Sequence, residues 1–169
     1  MHEAQAKESY RLEYHLKPGY VFFSPEPTLI YAVVGSAVMV CLWDGQKRYG
    51  GAAHFIYPKA PRREEATARY GNAAVSALIR LLIEEGSERA HLQAQIFGGG
   101  DPGPQEAGSL GLENVRIARE VLQREGIPVS SEDTGGSLGR KLIYKTDTNE
   151  VMVLKVDRLR REDWFPYGA

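Results

Sequence analysis

Gly35-Ser36-Ala37-Val38 and, further on, His54 within Gly50-Gly51-Ala52-Ala53-His54-Phe55 are the residues whose types and spacing come nearest to a reactive site. A glycine at a bend lets another chain approach closely, Ser36 offers a hydroxyl, and His54 has the proton affinity for general-base work near neutral pH. Between them, where a thiol would complete a pair of nucleophile and base, stands only the methyl of Ala37. On pattern alone the simpler reading is a strand kink and a histidine satisfied by hydrogen bonds.

Other residues carry weaker signals. Cys41 lies in the apolar run Val38-Met39-Val40-Cys41-Leu42-Trp43, where a cysteine most often behaves as a small buried hydrophobe. Ser36 as a nucleophile would need an activating base and oxyanion donors, and a serine beside a bend glycine is commonly a turn hydroxyl. Gly98-Gly99-Gly100-Asp101-Pro102-Gly103-Pro104 lacks the Gly-Lys-Ser/Thr ending of a phosphate loop, and no dinucleotide glycine fingerprint is present. Asp133-Thr134-Gly135-Gly136-Ser137 reads as a turn whose glycines permit positive φ or close approach, with lining a site as the alternative. The histidines at 2, 15, 54 and 91 lack nearby thiol or acidic partners, so no metal site and no cofactor is expected.

The elements that must position these residues are legible from periodicity. Strands are expected at Arg11–Leu16 and Tyr20–Phe23, each ended by proline-containing turns, and at Leu29–Val34 and Val38–Trp43, which read as two buried segments around the Gly35-Ser36 kink. Tyr49–Tyr57 follows the turn Asp44-Gly45-Gln46-Lys47, giving a hairpin-like meander. Apolar residues at three- and four-residue spacing predict a helix over Thr67–Glu85 with Gly86 as its C-cap, and a second over Leu112–Glu125 ended by Gly126. Further strands are expected at His91–Phe97, Pro128–Glu132, Arg140–Thr146 and Val151–Val156. Strands first, then strands interleaved with helices, indicate an α+β fold, specifically a layered α/β/β sandwich.

Composition bounds the rest. At 169 residues one domain is expected, with 1–9 and about 158–169 as polar or charged tails. A net charge of -1 gives no field to attract nucleic acid or an anionic membrane. A single cysteine excludes an internal disulfide, and the lack of a long apolar stretch argues against membrane insertion; a cytoplasmic protein is expected.

Read in order, Gly35-Ser36-Ala37-Val38-Met39-Val40-Cys41-Leu42-Trp43-Asp44, Ala53-His54-Phe55, Arg69-Tyr70-Gly71, Ile96-Phe97-Gly98-Gly99-Gly100, Gly111-Leu112-Glu113-Asn114-Val115 and Glu132-Asp133-Thr134-Gly135-Gly136 resemble the CheD family of chemoreceptor glutamine deamidases. The resemblance is collinear from about Leu29 to Val156. It implies two β layers and a helical layer around a papain-like Cys-His-Thr site, related to deamidating toxins. In such a site a thiolate attacks a receptor glutamine amide, histidine shuttles the proton, ammonia leaves and water releases glutamate. It also implies that His54 is the family base, and that Gly35, Ser36, Gly98, Gly99, Asn114, Thr134 and Gly135 line a surface for chemoreceptor cytoplasmic helices or a CheC-type phosphatase.

Two positions depart from the family pattern: Ala37 replaces the nucleophilic cysteine, and Tyr31, six residues earlier, replaces the threonine. A methyl cannot form a thioester, and loss of a paired nucleophile removes on the order of 10⁶-fold of rate in serine hydrolase examples. Cys41 is not expected to substitute, since four strand residues place it about 13 Å from position 37. An engineered Cys→Ala change would not need Tyr31, so natural divergence is favoured, and the phenol ring is expected to fill part of the cleft. The expected function is a CheD-like chemotaxis pseudoenzyme that binds protein partners. The alternatives are an active deamidase whose cysteine was engineered away, and a CheD-fold domain used outside chemotaxis.

Overall fold

The computed structural model describes residues 12–101, 103 and 109–157. The expected tails, the first residue of the strand predicted from Arg11, and part of the loop after Asp101 lie outside them. The elements in chain order are β1 (Leu12–His15), β2 (Tyr20–Ser24), β3 (Thr28–Val34), β4 (Val38–Asp44), β5 (Tyr49–Phe55), α1 (Gly71–Glu85), β6 (Leu92–Gly98), α2 (Leu110–Arg124), β7 (Val129–Thr134), β8 (Gly139–Lys145) and β9 (Glu150–Val156).

Alternation along β4 explains the layering. Val38, Val40 and Leu42 pack with Val75, Leu78, Leu82, Val115 and Leu122 of the helices, while Met39 and Cys41 face Ile30, Val34, Leu142 and Tyr144. A strand covered on both faces has no polar side, which is why its sequence is a continuous apolar run. The five-stranded sheet β2-β5-β4-β6-β7 is therefore the middle layer, with α1 and α2 on one face and the four-stranded sheet β1-β3-β8-β9 on the other. This is the expected mixed α+β architecture of two sheets and two helices.

β4 and β5 form the expected antiparallel hairpin. The two segments around Gly35-Ser36, however, do not continue one another: β3 belongs to the four-stranded sheet and β4 to the five-stranded one. What reads as a kink is the crossover between sheets.

Helix α1 starts at Gly71 rather than Thr67, because Tyr70 is extended (φ -106°, ψ 134°) and the Arg69 carbonyl accepts from Ile56 and Tyr57. Residues 67–70 thus finish the strand end before the helix can begin. A Cβ at Gly71 would stand 2.6 Å from the Phe55 ring and 2.7 Å from Ile117, so only glycine lets α1 start this close to β5 and α2. Gly86, at φ 114°, caps α1 as the sequence indicates. Helix α2 starts two residues earlier than expected and ends one residue earlier, with Ser109 as its N-cap.

Candidate functional site

The crossover is held by its carbonyls. Gly100 N donates to Gly35 O (2.9 Å), Asn114 Nδ2 to Ser36 O (2.9 Å) and Gly99 N to Ala37 O (3.0 Å). Asn114, fully buried on α2, also donates to Ile56 O at 2.8 Å, so one side chain ties the crossover to the end of β5. Gly98 has φ 113°, and a Cβ there would sit 2.3 Å from Ala37 O. The glycine run after β6 is thus required for two backbones to lie in contact, and the phosphate-loop alternative is not needed to account for it.

The Asp133–Ser137 loop joins the same cluster. Thr134 is the register partner of Gly98, and Gly135 N donates to Gly98 O at 2.9 Å. Arg140, 2% exposed at the start of β8, spans the group: Nη2 donates to Gly135 O (2.9 Å) and Asp133 Oδ1 (3.2 Å), and Nη1 approaches Gly98 O (3.4 Å). Lys155 Nζ lies 2.9 Å from Asp133 Oδ1. Burial opposes ionisation of Asp133, but the hydrogen bonds and charges of Lys155 and Arg140 outweigh it and hold the carboxyl below its usual range.

His54 is wholly buried on β5, and its Nδ1 lies 2.9 Å from Leu16 O. A carbonyl only accepts, so Nδ1 carries the proton and Nε2 presents a bare lone pair. That lone pair has no protein partner among the described residues. Burial pushes the imidazole down to about 4, against a smaller opposing effect of the Leu16 bond, so His54 is neutral at pH 7.

His54 is the register partner of Met39, and Ala37 lies two residues before Met39. Strand alternation makes Ala37 and His54 diagonal neighbours on the inter-sheet face, with Cβ atoms about 7 Å apart. A side chain one heavy atom longer than Ala37's would bring that atom toward the imidazole. Position 37 itself is 8% exposed. Cys41 is buried in the inter-sheet core, and burial drives its thiol well above the usual range, which leaves it a poor nucleophile.

Tyr31 does not fill this cleft. Ile30, Ala32 and Val34 of β3 face the other sheet, so Tyr31 points to the outward face, where its ring meets His15 at 5.0 Å. Position 31 contributes through its backbone instead: Tyr31 O accepts from Leu16 N (2.8 Å), and Leu16 O accepts from His54. The histidine is therefore oriented by a main-chain relay that does not depend on the side chain at 31.

The structure thus brings together Gly35, Ser36, Ala37, Gly98, Gly99, Asn114, Thr134 and Gly135, with His54 beside Ala37 and Tyr31 turned away. Sequence reasoning missed Leu16 and Arg140. A backbone carbonyl leaves no residue-type signal, whereas an arginine entering the apolar run Leu142-Ile143-Tyr144 was a visible clue. Among the described residues no group of three His, Cys, Asp or Glu is placed to hold a metal ion, and no helix is long and apolar enough to cross a membrane.

A helix-backed double sheet with glycine loops gathered at the inter-sheet crossover defines the structural class. The family model for CheD chemotactic sensory transduction matches residues 57–155. The chain is 40% identical over 145 residues to a probable chemoreceptor glutamine deamidase CheD 1 of Anaeromyxobacter dehalogenans, covering 85% of this chain and 84% of that relative. It is 35% identical over 146 residues to a CheD 2 of the same description from Geobacter sulfurreducens, covering 85% and 90%, and 39% identical over 140 residues to a CheD of Rhodospirillum rubrum, covering 82% and 79%. The chain belongs to the CheD family.

Proposed function

We propose that this chain is a CheD-family chemotaxis protein that no longer deamidates glutamine and acts by binding, either to the cytoplasmic helices of a chemoreceptor or to a CheC-type phosphatase. The observation that carries the reading is the pairing of a neutral His54, its Nε2 lone pair unpartnered among the described residues, with a methyl at position 37. In the family's chemistry a thiol at 37 would give its proton to that lone pair and attack the amide carbon, expelling ammonia. Water would then release glutamate. Ala37 offers no atom that can form the thioester, so the covalent route is closed, while the loops through Gly98, Asn114 and Gly135 that shape the surface are intact.

Incubation with a receptor cytoplasmic domain from the same organism, followed by mass spectrometry of its glutamines, is expected to show no conversion to glutamate. Conversion by the chain with Ala37 would end the proposal. The variant A37C is expected to gain deamidation from an undetectable baseline, because the base already holds the correct tautomer. Calorimetric titration should detect binding to a receptor domain or a CheC-type protein with Ala37 in place, and absence of affinity for both would remove the binding role.

A further inference from the structure

Strand β5 reaches the crossover end at Phe55, the register partner of Val38, and the chain then leaves the sheet in a loop that returns at Tyr70. Backbone bonds close the neck of that loop. Ile56 N and Tyr57 N both donate to Arg69 O (2.9 and 3.0 Å), Gly71 N to Tyr57 O (2.8 Å) and Asn72 N to Pro58 O (3.2 Å). Ends pinned this closely make residues 58–69 a compact excursion, a kind of loop that frequently carries function. Its charge is uneven: Lys59, Arg62, Arg63 and Arg69 are exposed, against only Glu64 and Glu65. Among the described residues no carboxylate pairs with any of these four cations, whereas Arg116, Arg119 and Arg140 each have one.

Two tyrosines stand at the foot of the loop. Tyr20, the register partner of His54, is 56% exposed, and Tyr57, just beyond the end of β5, is 45% exposed with its ring 5.8 Å from that of Tyr70. They are the only exposed aromatic side chains among the described residues. Arg69 stands beside Tyr20, since a Cβ at the neighbouring Gly19 would lie 3.1 Å from Arg69 Cγ. Asn114, which donates to both Ile56 O and Ser36 O, makes this patch continuous with the crossover.

We propose that the patch docks a carboxylate-bearing α-helix of a chemoreceptor cytoplasmic domain, with Tyr20, Tyr57 and the Arg69 stem against its apolar side and Lys59, Arg62 and Arg63 against its acidic residues. The inference rests on the receptor-binding reading above and adds the surface and the charge that select the partner. Tyrosine and arginine are the side chains that most often carry binding energy, because each offers a large contact area together with a polar tip. Cations without an acid of their own bring no pair to break, so a carboxylate partner gains their attraction in full. A net charge of -1 draws no acidic partner to the molecule as a whole, which leaves this local excess to orient the encounter.

Calorimetric titration of the full chain with a receptor cytoplasmic domain from the same organism tests the patch. Affinity should fall several-fold between low and physiological salt, and R62E with R63E should weaken it several-fold further at low salt while removing most of the salt dependence. Y57S should weaken binding several-fold at either salt concentration. R80E with R116E makes the same change of net charge on the helix layer and should bind as the parent does. Binding by R62E/R63E and Y57S at the parent's affinity overturns the patch and leaves the receptor-binding reading standing. Equal weakening in R80E/R116E also overturns it, because net charge alone would then account for the loss. A parent chain with no affinity for the receptor domain overturns both the patch and receptor binding, leaving only the CheC-type partner.

Discussion

The two ends of the inter-sheet layer are joined by different means. At the end away from the crossover, side chains close the contacts: Trp43 Nε1 donates to Thr146 O (2.9 Å), Thr28 N to Thr146 Oγ1 (2.9 Å), and Gln95 Nε2 and the Tyr144 hydroxyl to Asn149 Oδ1 (3.0 Å each). Asp44 Oδ2 is the buried exception there. At the crossover end, His54 Nε2, Asn114 Oδ1, Asp101 Oδ2 and Arg140 Nε are all buried with no partner among the described residues. Stability alone favours satisfying every buried polar group, so the end that leaves several open is the one under a second demand. Both ends hold the sheets together, but the crossover end is the one on which the proposed function rests.

The largest effect on stability that tests this contrast comes from Arg140. R140M removes a buried guanidinium and its charge-assisted bonds to Asp133, which keeps Lys155, and to the Gly98 and Gly135 carbonyls, which is expected to cost about 3–5 kcal/mol in denaturant unfolding. Because those carbonyls belong to the site loops, partner affinity should fall even in conditions where the variant is folded. A variant that loses stability but binds normally would show that the clamp serves packing alone.

His54 gives the next effect, read through pH. Unfolded, its imidazole protonates near 6.5; folded, it resists until about 4, so between these values the unfolded state binds more protons. Stability is therefore full above about pH 6.5 and declines as pH falls toward 4, by about 3 kcal/mol in total. H54Q should remove this decline, leaving the part due to Asp133, which is lost only as the pH falls through the carboxylate range. A37C should also reduce the decline, since an ionised thiol beside the imidazole favours its protonated form. An identical pH profile in the parent and H54Q would mean that the buried imidazole is not the group that sets this end apart.

How much of this was legible depends on whether the signal is local. Helix periodicity, the Gly86 cap and the β4–β5 hairpin all leave residue-type marks, and each appears in the structure, whereas the convergence of the glycine loops was implied only by the family resemblance. The separation of β3 from β4 into different sheets does not, because Leu29–Val34 and Val38–Trp43 are both continuous apolar runs and nothing local names their partners. The same property hid the direction of Tyr31. With Thr28-Leu29-Ile30-Tyr31-Ala32-Val33-Val34 apolar on both sides, alternation cannot say which set faces inward, and only the pairing with β1 and β8 decides. Leu16, which orients His54, acts through a carbonyl common to every residue.

The smallest effect comes from the far end, and it sharpens the contrast by what it leaves unchanged. Thr146 is fully buried, and its hydroxyl accepts from Thr28 N at 2.9 Å. T146V keeps the shape and removes the acceptor, leaving one buried amide unsatisfied, for an expected loss of about 1–2 kcal/mol. None of the hydrogen bonds named at this end involves Gly35, Gly98, Asn114 or Gly135, so partner affinity of T146V should match the parent at temperatures where both are folded, and any deamidation gained by A37C should keep its rate when T146V is added. Equal destabilisation achieved by a mild denaturant concentration provides the control. If T146V weakened binding beyond that control, the two ends would be coupled through β3 and β4, and the division of labour between a purely structural end and a functional one would fail.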